Sequence, residues 1–355
     1  MRMLIAGVIF FLFPCMVSAY GGHNDKPTHV GFLYISPVGH EGFSFAHDRA
    51  RKELEKNPNV TTTYVENVPE GPDAEQVIFE MANTGTDIII ATSFGFMDAV
   101  EQVSKQFPDK TFLHCSGQKA HSNLSSFFGR IYQARYLTGM VAGLMTETNT
   151  IGYVAAYPIP EVVRGINAFT LGAREVNPNA KVHVMWTQTW YDPLTEKEAG
   201  LRLVEAGADV LTQHQDSYGV QRAAVEKDVY AIGYHSDMSH IAKEKHLVAA
   251  VWNWYPFYNN LVTEVRSGSW KSGLYWPGIE SNVVDISSFS PLVPREVQER
   301  ILQKRQAIID GSYIVFNGPV ESQTGDMRIP EGATPSDNDL LHMNWFVKGV
   351  VGDIR

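Results

Sequence analysis

Cysteine is all but absent from this chain: two occur in 355 residues, and one of them, Cys15, lies in a leader-like segment. The other, Cys115, has no second thiol to pair with, so stability must come from core burial rather than from an internal disulfide. A chain of this size can bury about three quarters of the surface its unfolded form exposes, which is sufficient. Long apolar runs are confined to the first 20 residues, which excludes a polytopic membrane protein. Positive charge is in deficit, with 29 Lys and Arg against 39 Asp and Glu, and no basic block occurs. Neither nucleic acid nor an anionic membrane face is therefore an expected partner. Also missing are a Walker-type phosphate loop, the glycine fingerprint of dinucleotide binding, a nucleophile elbow and a zincin helix. His235, His240 and His246 are spaced by five and six residues, not by the four that sets two ligands on one helix face. No metal and no cofactor are expected, and Cys115 beside His114 reads as a buried structural thiol.

What is present begins with Arg2, the apolar stretch Leu4 to Val17, and the small-x-small triplet Val17-Ser18-Ala19. These predict a cleavable signal peptide over 1–19 and a periplasmic protein. Cys15 follows Pro14, where a lipid-attachment box needs a small residue, so a cleaved leader is preferred to a lipid anchor.

The remaining chain alternates short β-branched or apolar runs with helical stretches. Strands are predicted at 30–35, 61–65, 87–91, 111–114 and 126–128, with helices at 43–55, 73–83 and 97–107 between them. After a long helix at 132–145, a second series places strands at 151–155, 181–186, 210–212, 229–232 and 248–252. Its helices are predicted at 161–176, 193–205 and 218–226. A strand at 283–286 and a helix at 295–310 follow, and the Gly- and Pro-rich stretch from 312 reads as surface turns. Buried parallel sheets, an α/β class and two similar lobes are the expectation.

Ligands in open α/β sheets bind beyond the carboxyl ends of the strands. The segments that follow these strands repeatedly set aromatic rings beside acids and amides: Gly42-Phe43-Ser44, Thr92-Ser93-Phe94, Trp190-Tyr191-Asp192, Asp216-Ser217, His235-Ser236-Asp237 and Asn253-Trp254. Exposed rings cost free energy unless they meet a partner. Rings for the faces and polar groups for the edge suit a flat heteroaromatic ligand.

Several strings carry a family resemblance. They are the first strand running Gly31-Phe32-Leu33-Tyr34-Ile35-Ser36-Pro37-Val38-Gly39, the segment Thr92-Ser93-Phe94-Gly95-Phe96-Met97, and the stretch Pro158 to Phe169. With Asp216-Ser217, Asp237-Met238, Val251-Trp252-Asn253-Trp254 and Trp345-Phe346-Val347, the chain resembles the basic membrane protein family of ABC-transporter substrate-binding proteins. The resemblance implies a type I periplasmic-binding fold, two Rossmann-like lobes joined by three hinge crossings. It also implies capture of purine nucleosides or bases for an inner-membrane permease, without enzymatic activity, by a monomer. Lobe 1 is expected over 29–128 plus 254–278, and lobe 2 over 129–253 plus 279–330, with 331–355 packed on both.

By the same resemblance Phe43 and Trp190 sandwich the ligand and Asp237 matches an acid used on ribose hydroxyls. The departures are His40 in place of an acid in the first loop and Trp252-Asn253-Trp254 where nucleoside binders carry a lysine. Added indole volume and a lost ribose-directed cation favour a free base such as adenine or guanine. The expected ligand contacts are Phe43, Ser93, Phe94, Trp190, Asp216, Asp237, Asn253 and Trp254. A nucleoside binder, a sugar-binding or sensory protein of the same fold, and a purine-handling enzyme are the alternatives.

Overall fold

A computed structural model describes residues 26–354. The expected signal peptide over 1–19, with Cys15, lies outside the described residues. Two sheets dominate. The first lobe runs β1 (Thr28–Tyr34), α1 (Phe43–Leu54), β2 (Val60–Val65), α2 (Pro72–Asn83), β3 (Ile88–Thr92), α3 (Met97–Ser104), β4 (Thr111–Cys115) and β5 (Leu124–Phe127). The second begins with α4 (Tyr132–Met145) and continues β6 (Thr150–Ala155), α5 (Pro160–Val176), β7 (Lys181–Trp186), α6 (Pro193–Glu205) and β8 (Val210–His214). Next come α7 (Gly219–Glu226), β9 (Tyr230–His235) and β10 (His246–Trp252).

The chain then returns to the first lobe for α8 (Tyr255–Ser267) and β11 (Leu274–Tyr275), and crosses again into β12 (Val284–Ile286) and α9 (Arg295–Ile309). Strand order is β11-β5-β4-β3-β1-β2 in one sheet and β12-β10-β9-β8-β6-β7 in the other. All neighbours are parallel except β12, which runs against β10. Both sheets therefore reverse direction beside their first strand, at β1/β3 and at β6/β8, the position where open α/β sheets leave a crevice.

Local sequence explains the element ends. Pro160 and Pro193 open α5 and α6, where a missing N–H costs nothing. Asp192 caps α6 by accepting from the Leu194 and Thr195 N–H groups, and Gly268 closes α8 at a φ of 69°. Strand β3 is apolar and buried along its whole length because helices cover both faces. Leu33, Ile89 and Ala91 pack against α2 and α3 on one face. Val30, Phe32 and Tyr34 join the other, main core, which continues into the second lobe.

The tail differs from the turns its Gly and Pro content predicts. It forms a hairpin of β13 (Val320–Glu321) and β14 (Met327–Ile329), a short helix α10 (Asp337–Leu341) and β15 (Val350–Val351). β15 pairs in parallel with β7 and completes the second sheet. Asn167 on α5 holds the approach to it, donating to the Trp345 carbonyl and accepting from the Val347 N–H at 3.0 Å. Short strands read poorly because the partner that stabilises them is far away in sequence.

Helices α4 and α5 touch through glycine. A Cβ on Gly139 would overlap the Phe169 carbonyl, one on Gly143 the Ala173 carbonyl, and one on Gly172 the Tyr136 carbonyl. Backbone meets backbone here, so no side chain can move aside. Gly172→Val should lower the chemical-denaturation midpoint, with a loss of about 1–3 kcal/mol or more for overpacking. An unchanged midpoint would show that the two helices separate freely.

Candidate functional site

All three inter-lobe crossings meet at one point. A Cβ on Gly129, just past β5, would stand 2.5 Å from Trp252 Cζ3 and 2.6 Å from Val284 Cγ1. Next to this hinge, between the two switch points, lies a narrow cleft. The first lobe contributes Ile35, Phe43, Ser93, Phe94, Ser116 and Phe128, and the second contributes Glu161, Trp190, His214, Asp216, Tyr234 and His235. Each of these lies at or just beyond the carboxyl end of a strand, or opens the helix that follows.

The polar scaffold beneath the second lobe's loops is dense. Arg135 of α4 is fully buried, donates to the Gln213 carbonyl, and lies 3.4 Å over the Tyr234 ring. Gln213 donates its amide to the carbonyls of Gln215 and Ser217, which fixes the loop that bears Asp216. The Asp216 N–H donates to the Trp190 carbonyl at 3.0 Å, so these two site residues are set by one backbone bond. On the first lobe, Ser93 donates to Glu70 at 2.6 Å and its carbonyl lies 2.6 Å from His114 Nε2.

The cleft's electrostatics are unusual. The Asp216 side chain is buried, and among the described residues no donor bonds its carboxyl; His235 Nε2 stands 3.2 Å away without the alignment of a hydrogen bond. Burial first, then repulsion from Glu196, Glu161 and Glu70, pushes the Asp216 carboxyl well above the usual carboxylate range. Burial raises Glu161 to about 7 against the pull of the Ser116 hydroxyl and the Arg164 guanidinium. Burial likewise raises Glu196 to about 7, although the Ser217 hydroxyl and the Asp192 N–H both donate to it. His214 and His235 are held neutral, mainly by burial. Among the described residues no group of His, Cys, Asp and Glu could hold a metal ion. Rings and under-coordinated carboxyls suit a flat ligand rich in N–H donors.

Of the expected contacts, Phe43, Ser93, Phe94, Trp190 and Asp216 come together in this cleft. The other three are placed elsewhere. Trp254 is fully buried in the first lobe's core, stacked 4.9 Å from His47 and 4.6 Å from Trp252, so it cannot exclude a ribose from the cleft. Asn253 donates its amide to the Asn282 carbonyl and ties two hinge crossings together. Asp237 is half exposed, accepts from the Ser239 N–H, and lies 3.7 Å from His246. Missing from the expectation are Glu161, in the first turn of α5, and His214 and His235, the last residues of β8 and β9. Ser116 carried no composition signal, only its position directly after β4.

The lobes touch across this cleft. Gly42 has a φ of 93° and faces the Asp216 backbone so closely that a Cβ would overlap the Asp216 carbonyl oxygen. The Phe43 ring packs 5.1 Å from His235. Glu41 reaches His240 at 3.6 Å.

Residues 28–317 match the family model described as ABC transporter substrate-binding protein, PnrA-like (Bmp). A purine-binding protein of Brucella abortus is 39% identical over 330 residues, covering 92% of this chain and 94% of that protein. A Haloferax volcanii protein provisionally named an ABC transporter glucose-binding protein is 36% identical over 337 residues, 94% of this chain and 83% of that one. Among solved structures, an ABC transporter solute-binding protein from Conexibacter woesei superposes with a TM-score of 0.68 at 21% identity, over 81% of this chain and 98% of that chain. That likeness concerns the fold, which is the type I periplasmic-binding fold.

Two outcomes follow from this geometry. Gly42→Ala adds a methyl group where the lobes meet and strains a left-handed backbone position, so it should hold the lobes apart while leaving each folded. A larger radius of gyration in small-angle scattering with native circular dichroism is expected; unchanged dimensions would mean the lobes do not close here. The second outcome concerns pH. Glu161 and Glu196 keep protons in the native state up to about pH 7 that the unfolded chain releases near the ordinary 4.5. At these two carboxyls the native state thus binds more protons across that window, so their contribution to stability falls as pH rises through it, whereas the neutral buried His214 and His235 contribute in the opposite sense. The ligand-free melting temperature of the wild type minus that of Glu196→Gln, measured across the window, isolates the Glu196 part and should fall as pH rises; a difference that stays constant would contradict it.

Proposed function

The chain belongs to the Bmp family of PnrA-like ABC transporter substrate-binding proteins, a non-enzymatic family, and we propose that it captures a free purine base for import. The carrying observation is the Asp216 carboxyl, which lines the cleft beside aromatic rings and accepts no hydrogen bond from the described residues, with His235 Nε2 3.2 Å away. A buried polar group left unpaired costs on the order of 1–3 kcal/mol. A ring N–H or exocyclic amine of adenine or guanine offsets that cost. Phe43 and Phe94 from one lobe and Trp190 from the other supply faces for the bicycle, each worth ~1–3 kcal/mol by analogy with base stacking on aromatic platforms. Ser93, Ser116 and Glu161 complete the edge. Three further carboxyls repelling Asp216 make the cleft hostile to a phosphate, which argues against nucleotides. The purine-binding relative from Brucella abortus supports the same reading.

Capture works by closure. Contacts from both lobes stabilise the closed form in proportion to the ligand's preference for it, and the inner-membrane permease meets that form in the periplasm. A base is favoured over a nucleoside because the cleft at the switch points is small and enclosed by Gly42 against Asp216. A ribose would have to extend past Phe94 and Glu161 into the adjoining hollow lined by Gln118, Arg164 and Leu341.

A sugar is the second reading, favoured by the Haloferax volcanii relative, since rings and carboxyls also suit a pyranose. Parallel calorimetric titrations with adenine, guanine, adenosine, guanosine, glucose and ribose separate these. Adenine or guanine should bind at least tenfold more tightly than its nucleoside. Equal or tighter nucleoside binding would overturn the base reading, and glucose binding without purine binding would overturn the purine reading in favour of the sugar. Trp190→Ala should weaken purine binding by about tenfold or more. An unchanged affinity in the folded variant would remove this ring from the site.

A further inference from the structure

Trp252 reaches from the hinge into the cleft through a single hydrogen bond. Its indole Nε1 stands 2.9 Å from His235 Nδ1, and both side chains are buried. An indole N–H can only donate, so His235 Nδ1 must accept. In a neutral imidazole the remaining proton then sits on Nε2. A charged ring would oppose two N–H groups, so the same bond also keeps His235 neutral.

Nε2 itself is buried and has no hydrogen-bond partner among the described residues. It lies beside Asp216 Oδ1, 3.2 Å away but out of alignment, on a residue that lines the cleft. His235 also adopts a φ of 69°, a left-handed conformation that costs a β-carbon residue free energy and persists only where surroundings enforce it. Strain, burial and an unused donor coincide at one side chain.

We infer that Trp252 is a positioning residue for ligand recognition: it fixes His235 in the Nε2–H form, so that the cleft presents a hydrogen-bond donor beside the Asp216 acceptor. The complementary ligand edge carries an acceptor next to a donor. This rests on the purine reading, because purines offer such edges, as in the N7 and N6 amine of adenine. The same indole stacks on Trp254, and the Trp252 carbonyl accepts from Arg49 of α1 at 3.0 Å, so the donor's orientation is set by the hinge itself.

The full-length mature protein labelled with ¹⁵N-histidine tests this without any ligand. Two-bond ¹H–¹⁵N correlations, assigned through the signals lost in His235→Gln, should show a protonated Nε2 and a bare Nδ1 at neutral pH. The opposite tautomer overturns the inference. Trp252→Phe keeps an aromatic ring at the hinge and removes the N–H. It should shift the His235 signals toward a tautomer mixture and weaken adenine or guanine binding by about tenfold. Wild-type affinity with unaltered His235 signals also overturns it. Should Trp252→Phe not fold, the wild-type tautomer decides alone. Failure of every purine to bind the wild type defeats the purine reading, while the tautomer measurement still judges this inference.

Discussion

The packing of one indole governs how the two lobes can stand relative to each other. Trp252 ends β10 in the second lobe, stacks on Trp254 at the start of α8 in the first, and presses on Gly129 of the first crossing. Its carbonyl is held by Arg49 of α1. A side chain this large, touching all three crossings, converts three flexible passages into one joint. Close-packed interiors are bistable rather than continuously deformable, so such a joint favours discrete open and closed arrangements. The Gly129 position shows how little room is left, since even a methyl group would collide with the ring.

The cleft balances opposite tendencies. Aromatic walls lower the local dielectric, which raises the cost of every carboxyl they surround, and four acids, Glu70, Glu161, Glu196 and Asp216, share that environment. Glu70 and Glu196 are bonded by serines, while Asp216 is left bare. On the proposed closure mechanism, closing over an empty cleft leaves the Asp216 carboxyl without a donor, and opening lets water reach it. Ligand donors change that ordering, which is the differential affinity a closure mechanism requires. The fixed framework of Arg135 and the buried glutamines keeps the loops from relaxing to satisfy the acid by themselves.

The legible part of this molecule was its repeating part. The run Ile88-Ile89-Ile90-Ala91 announces a strand because β-branched residues buried on both faces leave few other options. Phe43, Phe94 and Trp190 were visible as rings placed just beyond strands, and the topology brought them together. Trp254 carried the same signal and went into the core, because stacking on His47 and Trp252 outweighs exposure to a cleft. Ser116 and Glu161 were opaque, since a serine and a helix-first-turn glutamate are ordinary residues whose role depends on a facing lobe. The pairing of His235 with Trp252 spans only 17 residues, yet no periodicity predicts it; it depends on a left-handed turn at the end of β9.

The last strand of the second sheet has a bearing on how the chain acquires its structure. β15 occupies Val350–Val351, and until it arrives the outer side of β7 presents unpaired backbone groups along Val182 and His183. Such an edge invites pairing with another chain, and within this chain it is covered by β15. The contact joins positions about 170 apart in sequence, so its loop-closure entropy makes it a late event in folding. The first lobe's central strands can form early, whereas the second lobe keeps an open edge until β15 docks on β7.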